Sequence, residues 1–161
     1  MVIIIEKYKV LIDDEDYNKI KVYKWYINKD KKNNRYTVRA TLYKKLSKYN
    51  YKHKSIYIHS LIMNAKKGEV VDHKNHNTLD NRKCNLRICT NQQNIFNQKL
   101  NKRNTSGYKG VSFNKSAKKW KAKVCYNYKD YYLGLFSNIL DAKKAYEIKA
   151  KELFKEFYNP I

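Results

Sequence analysis

Three polar side chains near the middle of the chain are of the types that assist phosphodiester hydrolysis. Asp72 and His73 are adjacent, and Asn94 follows them. A hard cation such as Mg²⁺ takes oxygen ligands, here a carboxylate and an amide, and keeps positions open for water and phosphate. A neutral imidazole at His73 could accept the proton of the attacking water, because its unperturbed pKa lies close to working pH.

The local pattern predicts elements that bring these side chains together. Residues 70–73 and residues 85–90 have the pattern of short strands, and a polar stretch separates them. Thr90 and Gln93 have the spacing of a capping box, which predicts a helix over residues 90–100. A strand, a loop, a strand and a helix in this order place the three side chains where they can converge.

The segment before these elements, residues 1–55, is predicted to be rich in strands. Residues 3–12 are strand-like, and an acidic turn over 13–16 can cap a short helix that runs toward Trp25. Residues 35–43 alternate with a period of two, as a half-buried strand does. No motif in this segment carries chemistry that we can assign.

The C-terminal segment has the clearest pattern. Residues 110–114, 119–126 and 130–136 are three strand candidates, and a helix is predicted over 138–154. Along the middle strand, the side chains that face the helix are Trp120, Ala122 and Val124, and those that face away are Lys119, Lys121 and Lys123. A sheet with a helix behind it and lysines in front is suited to contact nucleic acid.

The charge of the chain favours a polyanionic partner. The 161 residues include 36 Lys and Arg and 14 Asp and Glu, so the net charge is +22, which exceeds what solubility requires. The excess is +9, +6 and +7 over residues 1–60, 61–104 and 105–161, so it does not form a basic tail. With 42% hydrophobic residues the chain can bury a core, and no apolar run approaches the ~20 residues of a membrane span.

The central residues resemble the HNH nuclease motif, in the form found in phage-type homing endonucleases. The matching residues are Asp72-His73, Asn85-Leu86-Arg87 and Thr90-x-x-x-Asn94, preceded by a similar segment at 58–63. The resemblance implies that His73 is the general base, that Asp72 and Asn94 bind a divalent metal, and that Asn85 braces the loop. Because Asn94 replaces the last His of many members, the resemblance implies an oxygen-preferring ion, Mg²⁺ or else Mn²⁺.

The C-terminal segment is similar to the Apetala or ethylene-response-factor DNA-binding domain, which occurs behind HNH nucleases in mobile endonucleases. The similarity rests on residues 108–111, 119–122, 132–136 and 141–146. It implies that the sheet enters the major groove. The DNA-binding residues that it implies by position are Lys109, Ser112, Asn114, Lys123 and Tyr132, and Lys119 and Lys121 are added because they share that face. Several positions that hold Arg in that family hold other residues here, so the target sequence does not carry over.

Two alternatives compete with a nuclease. The spacings of His73, His76, Cys84 and Cys89 are close to those of a zinc site, which would make the chain a zinc-stabilised nucleic-acid-binding module. A non-catalytic DNA-binding regulator that keeps the nuclease fold as a scaffold is the other alternative. His59 is interpreted as a structural or DNA-backbone residue rather than a metal ligand.

The sequence as a whole predicts an α+β protein, with a ββα-metal HNH core followed by a three-stranded antiparallel sheet on one helix. The predicted parts are the N-terminal segment 1–55, the nuclease core 56–100, a linker 101–107 and the DNA-binding domain 108–161. The predicted function is site-directed, metal-dependent cleavage of double-stranded DNA by a monomer or homodimer. No membrane partner is expected. Because no signal peptide is recognisable, we expect the chain to be intracellular, in the cytoplasm or nucleoid, and not secreted.

Overall fold

The computed structural model describes residues 1–30, 35–47 and 50–160, and the chain divides into two compact units, Met1–Asn91 and Gln92–Ile161. The first unit opens with a hairpin in which β1 (Val2–Ile5) pairs antiparallel with β2 (Tyr8–Leu11). The strand-like stretch over 3–12 is therefore two strands. Glu6, with φ of 56°, begins the turn that reverses the chain.

A three-stranded sheet and two short helices follow the hairpin. A 3₁₀ turn at Asp14–Asp16 leads into α1 (Tyr17–Ile20). The predicted short helix is therefore confirmed, but it ends well before Trp25. The next strands are β3 (Tyr26–Asp30), β4 (Arg35–Ser47) and β5 (Asn50–Tyr57), antiparallel in the order β3-β4-β5, followed by α2 (Ile58–Ile62). β4 confirms the strand predicted over 35–43 and extends it.

The central elements have the predicted order. β6 (Val70–His73) pairs antiparallel with β7 (Leu86–Cys89), and α3 (Asn91–Phe96) follows. The helix is shorter than the predicted 90–100. Just after its end, the carbonyl of Asn97 accepts a hydrogen bond from Nδ2 of Asn159 at 3.1 Å.

The core of the first unit contains side chains from the N-terminal hairpin and from the central strands. Its buried members are Ile5, Val10, Ile12, Ile20, Val38, Ile58, Ile62, Val71 and Leu86. Each such side chain contributes about 1.5–3 kcal/mol when it is fully buried. The hairpin β1–β2 is therefore part of the same folded body as β6 and β7.

The second unit confirms the predicted sheet and helix. β8 (Val111–Asn114), β9 (Lys119–Tyr126) and β10 (Lys129–Phe136) are antiparallel in the order β10-β9-β8, and α4 (Ile139–Phe154) follows. The Asn138 side chain caps α4 by accepting from the Leu140 N–H at 2.8 Å. Residues 101–107 contain neither helix nor strand.

Small residues let α4 approach its sheet closely. Val111, Ala122 and Ala142 are buried together, and half-buried aromatic side chains surround them. Gly110 has φ of +66°, and a Cβ there would lie 2.1 Å from the Tyr146 ring, so a glycine is required. The chain is a mixed α/β protein with small antiparallel sheets. None of the helices described is long and apolar enough to cross a membrane.

Candidate active site

Strands β6 and β7 set the positions of Asp72 and His73. Asp72 lies opposite Arg87 in the ladder, and His73 lies opposite Leu86 at the end of β6. Each of the two polar residues is only 6% exposed. Because a buried polar group is costly without a partner, the contacts of the two side chains define what this site can do.

The carboxylate of Asp72 is held by Arg87. Nε and Nη2 of Arg87 lie 2.9 and 2.8 Å from Oδ2 of Asp72, and both side chains are largely buried. Opposite charges directly across a ladder stabilise it, and the guanidinium fixes the orientation of the carboxylate. The pair is neutral overall, so a cation at Asp72 would depend on the negative charge of a substrate phosphate. The sequence motif included Arg87 but gave it no role.

His73 is held by Asn81, a residue of the polar loop that belongs to none of the sequence motifs. Nε2 of His73 lies 3.2 Å from Oδ1 of Asn81, while Nδ2 of Asn81 donates to the carbonyl of Thr78 at 3.4 Å. The second bond fixes which end of the amide faces the ring. Since an amide oxygen can only accept, this contact requires the proton of the ring to be on Nε2.

The surroundings of His73 favour its neutral form. Burial lowers the pKa of His73, and this effect outweighs the Asn81 hydrogen bond and the charge of Asp72, which raise it. The His59 ring lies 5.2 Å away between centroids, in a T-shaped contact. Burial, and next the charge of His73, lower the pKa of His59 to about 3. Two neutral rings therefore pack together, which supports the structural interpretation of His59.

The loop between β6 and β7 is organised around Asn85 and Asp80. Oδ1 of Asn85 accepts from the Asn75 N–H at 3.0 Å, and Nδ2 of Asn85 donates to the Asp80 carbonyl at 2.7 Å. The Asp80 carboxylate accepts two bonds from Arg82 at 2.8 Å, which hold its pKa below the usual range despite burial. Asn85 thus makes the contacts that a bracing residue needs, and its contribution to catalysis stays a prediction.

The two proposed metal ligands fall in different units. Asp72 is in the first unit, whereas Asn94 is half-buried on α3 within the second unit, so their convergence stays a prediction. A carboxylate and an amide oxygen fit a hard cation that keeps several waters. They leave most of its coordination to water and phosphate.

The zinc site is not formed. Among the described residues, no three His, Cys, Asp or Glu side chains are grouped as metal ligands. His73 is bonded to Asn81 instead. Cys84 is exposed, and Cys89 is buried, which raises the pKa of its thiol to about 11 and keeps it protonated. The zinc hypothesis is therefore wrong for these residues.

Six of the residues predicted to bind DNA lie on one face of the sheet of the second unit, and their role in binding stays a prediction. Ser112 lies opposite Lys121, Asn114 opposite Lys119, and Lys123 opposite Tyr132. Directly opposed residues share one face of a sheet, so these six side chains lie together. The apolar side chains Val111, Trp120 and Ala122 lie on the helix side of the sheet.

Three members of the predicted DNA-binding set have contacts that the sequence does not reveal. Nζ of Lys123 pairs with the Asp130 carboxylate at 2.7 Å. Oδ1 of Asn114 accepts from the Ala117 N–H at 3.0 Å and so stabilises the turn. Lys109 is half-buried, its Nζ donates to the Asn159 carbonyl at 2.9 Å, and burial lowers its pKa. The ammonium groups of Lys109 and Lys123 are therefore both bonded within the protein, and that of Lys109 is also half-buried.

A second basic region lies in the first unit. Residues 31–68 contain 11 Lys and Arg and no Asp or Glu. Four lysines on β4 and β5 are exposed, namely Lys44, Lys45, Lys52 and Lys54. The net charge per segment does not reveal this concentration, because the acidic residues of residues 1–60 all lie at positions 6–30.

Comparison with known proteins supports the central motif. The family model described as HNH endonuclease matches residues 57–95. An uncharacterized HNH endonuclease of Acanthamoeba polyphaga mimivirus is 35% identical over 106 residues, which cover 65% of this chain and 54% of the relative. Protein 3.8 of Escherichia phage T7 is 40% identical over 58 residues, which cover 36% of this chain and 48% of the relative.

The chain thus spans about half the length of the curated relatives that it matches. No solved structure matches it. The sequence resemblance to HNH endonucleases is confirmed for the central segment, which contains Asp72, His73, Asn85 and Asn94. The resemblance of the C-terminal unit to the Apetala domain stays a prediction.

Proposed function

We propose that the chain is a metal-dependent DNA endonuclease of the homing type, with His73 as its general base. The observation that carries the proposal is the buried, neutral imidazole of His73, fixed by Asn81 beside Asp72 within the segment that matches HNH endonucleases. A general base needs a lone pair at working pH and a fixed orientation. His73 has both.

In the proposed reaction, Nδ1 of His73 takes the proton from the water that attacks the scissile phosphorus. The oxygen of that water bonds to phosphorus while the bond to the leaving sugar oxygen breaks, and the leaving oxygen takes up a proton from solvent water. A divalent ion, which we propose to be Mg²⁺ or Mn²⁺, supplies charge stabilisation at the phosphate when bound, and Asp72 and Asn94 are the residues that would hold it. Arg87 keeps the Asp72 carboxylate in one orientation.

We propose double-stranded DNA as the substrate because of the two basic regions. The ββα-metal arrangement and the Apetala-like sheet belong to the same proposal. Ser112, Lys119, Lys121 and Tyr132 on the sheet of the second unit would contact the duplex, and the acid-free run over 31–68 adds positive charge in the first unit. Contacts of lysines with phosphate release counterions and so favour binding.

Cleavage of a supercoiled plasmid in the presence of Mg²⁺ tests the proposed function. We expect the wild type to produce nicked or linear DNA, and His73→Ala to react at least about 100-fold more slowly, because the general base is lost. His53→Ala, which replaces an exposed histidine on β5, is the matched control and should retain the wild-type kcat at saturating DNA. A chelator should stop cleavage by the wild type.

Two results would contradict the proposal in different ways. If His73→Ala cleaves as fast as the wild type with Mg²⁺ and with Mn²⁺, His73 is not the base. If the wild type binds DNA and cleaves none with any divalent ion, the chain is the non-catalytic DNA-binding protein of the alternative hypothesis.

A further inference from the structure

Asn81 is the most completely enclosed polar side chain beside His73. It is 0% exposed, and its amide is bonded at both ends, Oδ1 to His73 and Nδ2 to the Thr78 carbonyl. Its backbone N–H donates to the Leu11 carbonyl at 2.8 Å. With these three bonds in a closed space, the amide has one orientation, and its oxygen faces the imidazole.

The N-terminal hairpin holds Asn81 in place. The Leu11 N–H donates to the Leu79 carbonyl at 2.8 Å, so Leu11 at the end of β2 is bonded to the residues on both sides of Asp80. The Asp13 carboxylate accepts from the Lys83 N–H at 2.7 Å. These contacts come from residues outside 57–95, the segment that matches the nuclease family.

We propose that Asn81 is a positioning residue for His73, which it holds as the tautomer with the proton on Nε2, and that β2 in turn positions Asn81. The consequence is that the lone pair stays on Nδ1. The catalytic part of this inference rests on the proposed function, whereas the tautomer can be measured without cleavage. The inference also gives the N-terminal hairpin a role in the site.

If Asn81 only filled space, an apolar side chain could replace it without changing the tautomer of His73. An apolar residue would fill the same space, but it would leave the ring N–H buried without its partner, at a cost of the order of a lost hydrogen bond. Loss of the acceptor would then release the ring to the other tautomer. Asn81→Ala and Asn81→Asp separate the two roles, because the aspartate keeps an acceptor oxygen and the alanine does not.

Nitrogen-15 NMR of the metal-free protein distinguishes these roles. In the wild type we expect His73 to show a protonated Nε2 and an unprotonated Nδ1. Asn81→Ala should lose this pattern, and Asn81→Asp should keep it. Asn77→Ala is the matched control, because Asn77 lies in the same loop, is exposed, and bonds to the Leu79 N–H rather than to His73. A wild-type spectrum with the proton on Nδ1 overturns the inference, even if no variant folds.

The cleavage assay gives the second readout. Asn81→Ala should lower kcat about 10- to 100-fold, with KM for DNA changed less than about two-fold, since the base is misplaced and the DNA contacts are intact. An Asn81→Ala protein with the wild-type tautomer and the wild-type kcat contradicts the inference. If His73→Ala shows that His73 is not the base, the proposed function fails, and the tautomer of the wild type still decides whether Asn81 positions the ring.

Discussion

The loop between β6 and β7 and the sheet of the second unit use polar side chains in opposite ways. In the loop, Asp80, Asn81 and Asn85 are each at most 6% exposed and are bonded to neighbouring residues. On the sheet, Lys119 is exposed and Tyr132 is 63% exposed, while the apolar residues lie on the other side. We therefore propose catalysis for a region of buried, hydrogen-bonded polar side chains and DNA binding for a region of exposed ones.

The difference follows from what each region has to do. A catalytic group needs a fixed orientation and protonation state, which buried hydrogen bonds supply and water would loosen. A surface that binds phosphates needs charges in solvent, where they attract the duplex and displace its counterions. Substitutions in the loop should therefore change stability and chemistry together, whereas substitutions on the sheet face should change affinity alone.

Removal of Arg87 should cause the largest loss of stability. Arg87→Ala leaves the Asp72 carboxylate buried without its cationic partner, and we expect a cost of about 4 kcal/mol in urea denaturation. Mg²⁺ should restore more stability to this variant than to the wild type, because the carboxylate is no longer neutralised. Arg103→Ala, at an exposed arginine, is the control. A loss below about 0.5 kcal/mol would show that the buried pair does not stabilise the site.

Acidification should weaken the first unit through His59. Its pKa in the folded chain is about 3, below the ordinary 6.5, so the folded form binds fewer protons than the unfolded chain between these values. The stability from the neutral ring is present above pH 6.5 and is lost as the pH falls toward 3. Phenylalanine does not titrate, so we expect His59→Phe to lose about 3 kcal/mol less free energy of unfolding than the wild type on acidification.

Urea denaturation of wild type and His59→Phe between pH 7 and pH 4 measures the effect of His59. The difference between the two proteins cancels the contributions of the carboxyl groups. His53→Phe, at an exposed histidine on β5, should behave as the wild type does. Parallel curves for wild type and His59→Phe would show that His59 is not held neutral by burial.

The second unit should be more sensitive to packing than to charge. Gly110→Ala places a Cβ 2.1 Å from the Tyr146 ring and 2.5 Å from the Lys123 carbonyl, at a positive φ, and should cost about 2 kcal/mol. Gly107→Ala has a similar φ of +77° with nothing within 4 Å, so it measures the backbone strain alone. Equal losses in the two variants, by urea denaturation, would show that close packing against Tyr146 is not what requires the glycine.

Much of this architecture could be predicted, because it depends on local periodicity. The alternation around Trp120 and Ala122 gave β9 and its two faces, and the spacing of alanines gave α4. Asp72 and His73 marked the site only together with Asn85 and Asn94, because the spacing of all four matches a nuclease motif whereas the adjacent pair alone is a weak signal.

The contacts that fix the site could not be predicted, because they join residues far apart in the chain. Asn81 lies in a polar loop with no hydrophobic period, and its position depends on Leu11. The pairing of Arg87 with Asp72 depends on the register of β6 and β7. Lys109 was expected on the DNA-binding face, but its Nζ bonds to Asn159 near the C-terminus. Periodicity carries no information about such pairs.

Replacement of the sheet lysines should have the smallest effect on stability and a clear effect on binding. Lys119→Ala with Lys121→Ala should change the free energy of unfolding by less than about 0.5 kcal/mol, because neither side chain belongs to the buried core. If both contact phosphates, the slope of log affinity against log salt should fall by about two in binding titrations.

Lys144→Ala is the control, because it removes one positive charge from an exposed lysine of α4 and leaves the sheet face unchanged. An equal loss of affinity per lysine at Lys144 would mean that net charge, rather than the sheet face, holds the duplex. A loss of stability in the double variant would contradict the proposed difference between the sheet face and the loop. The lysines would then stabilise the fold, as Asp80 and Asn85 do. An unchanged fold with a reduced salt slope would assign the sheet face to phosphate binding and leave the chemistry to the buried loop.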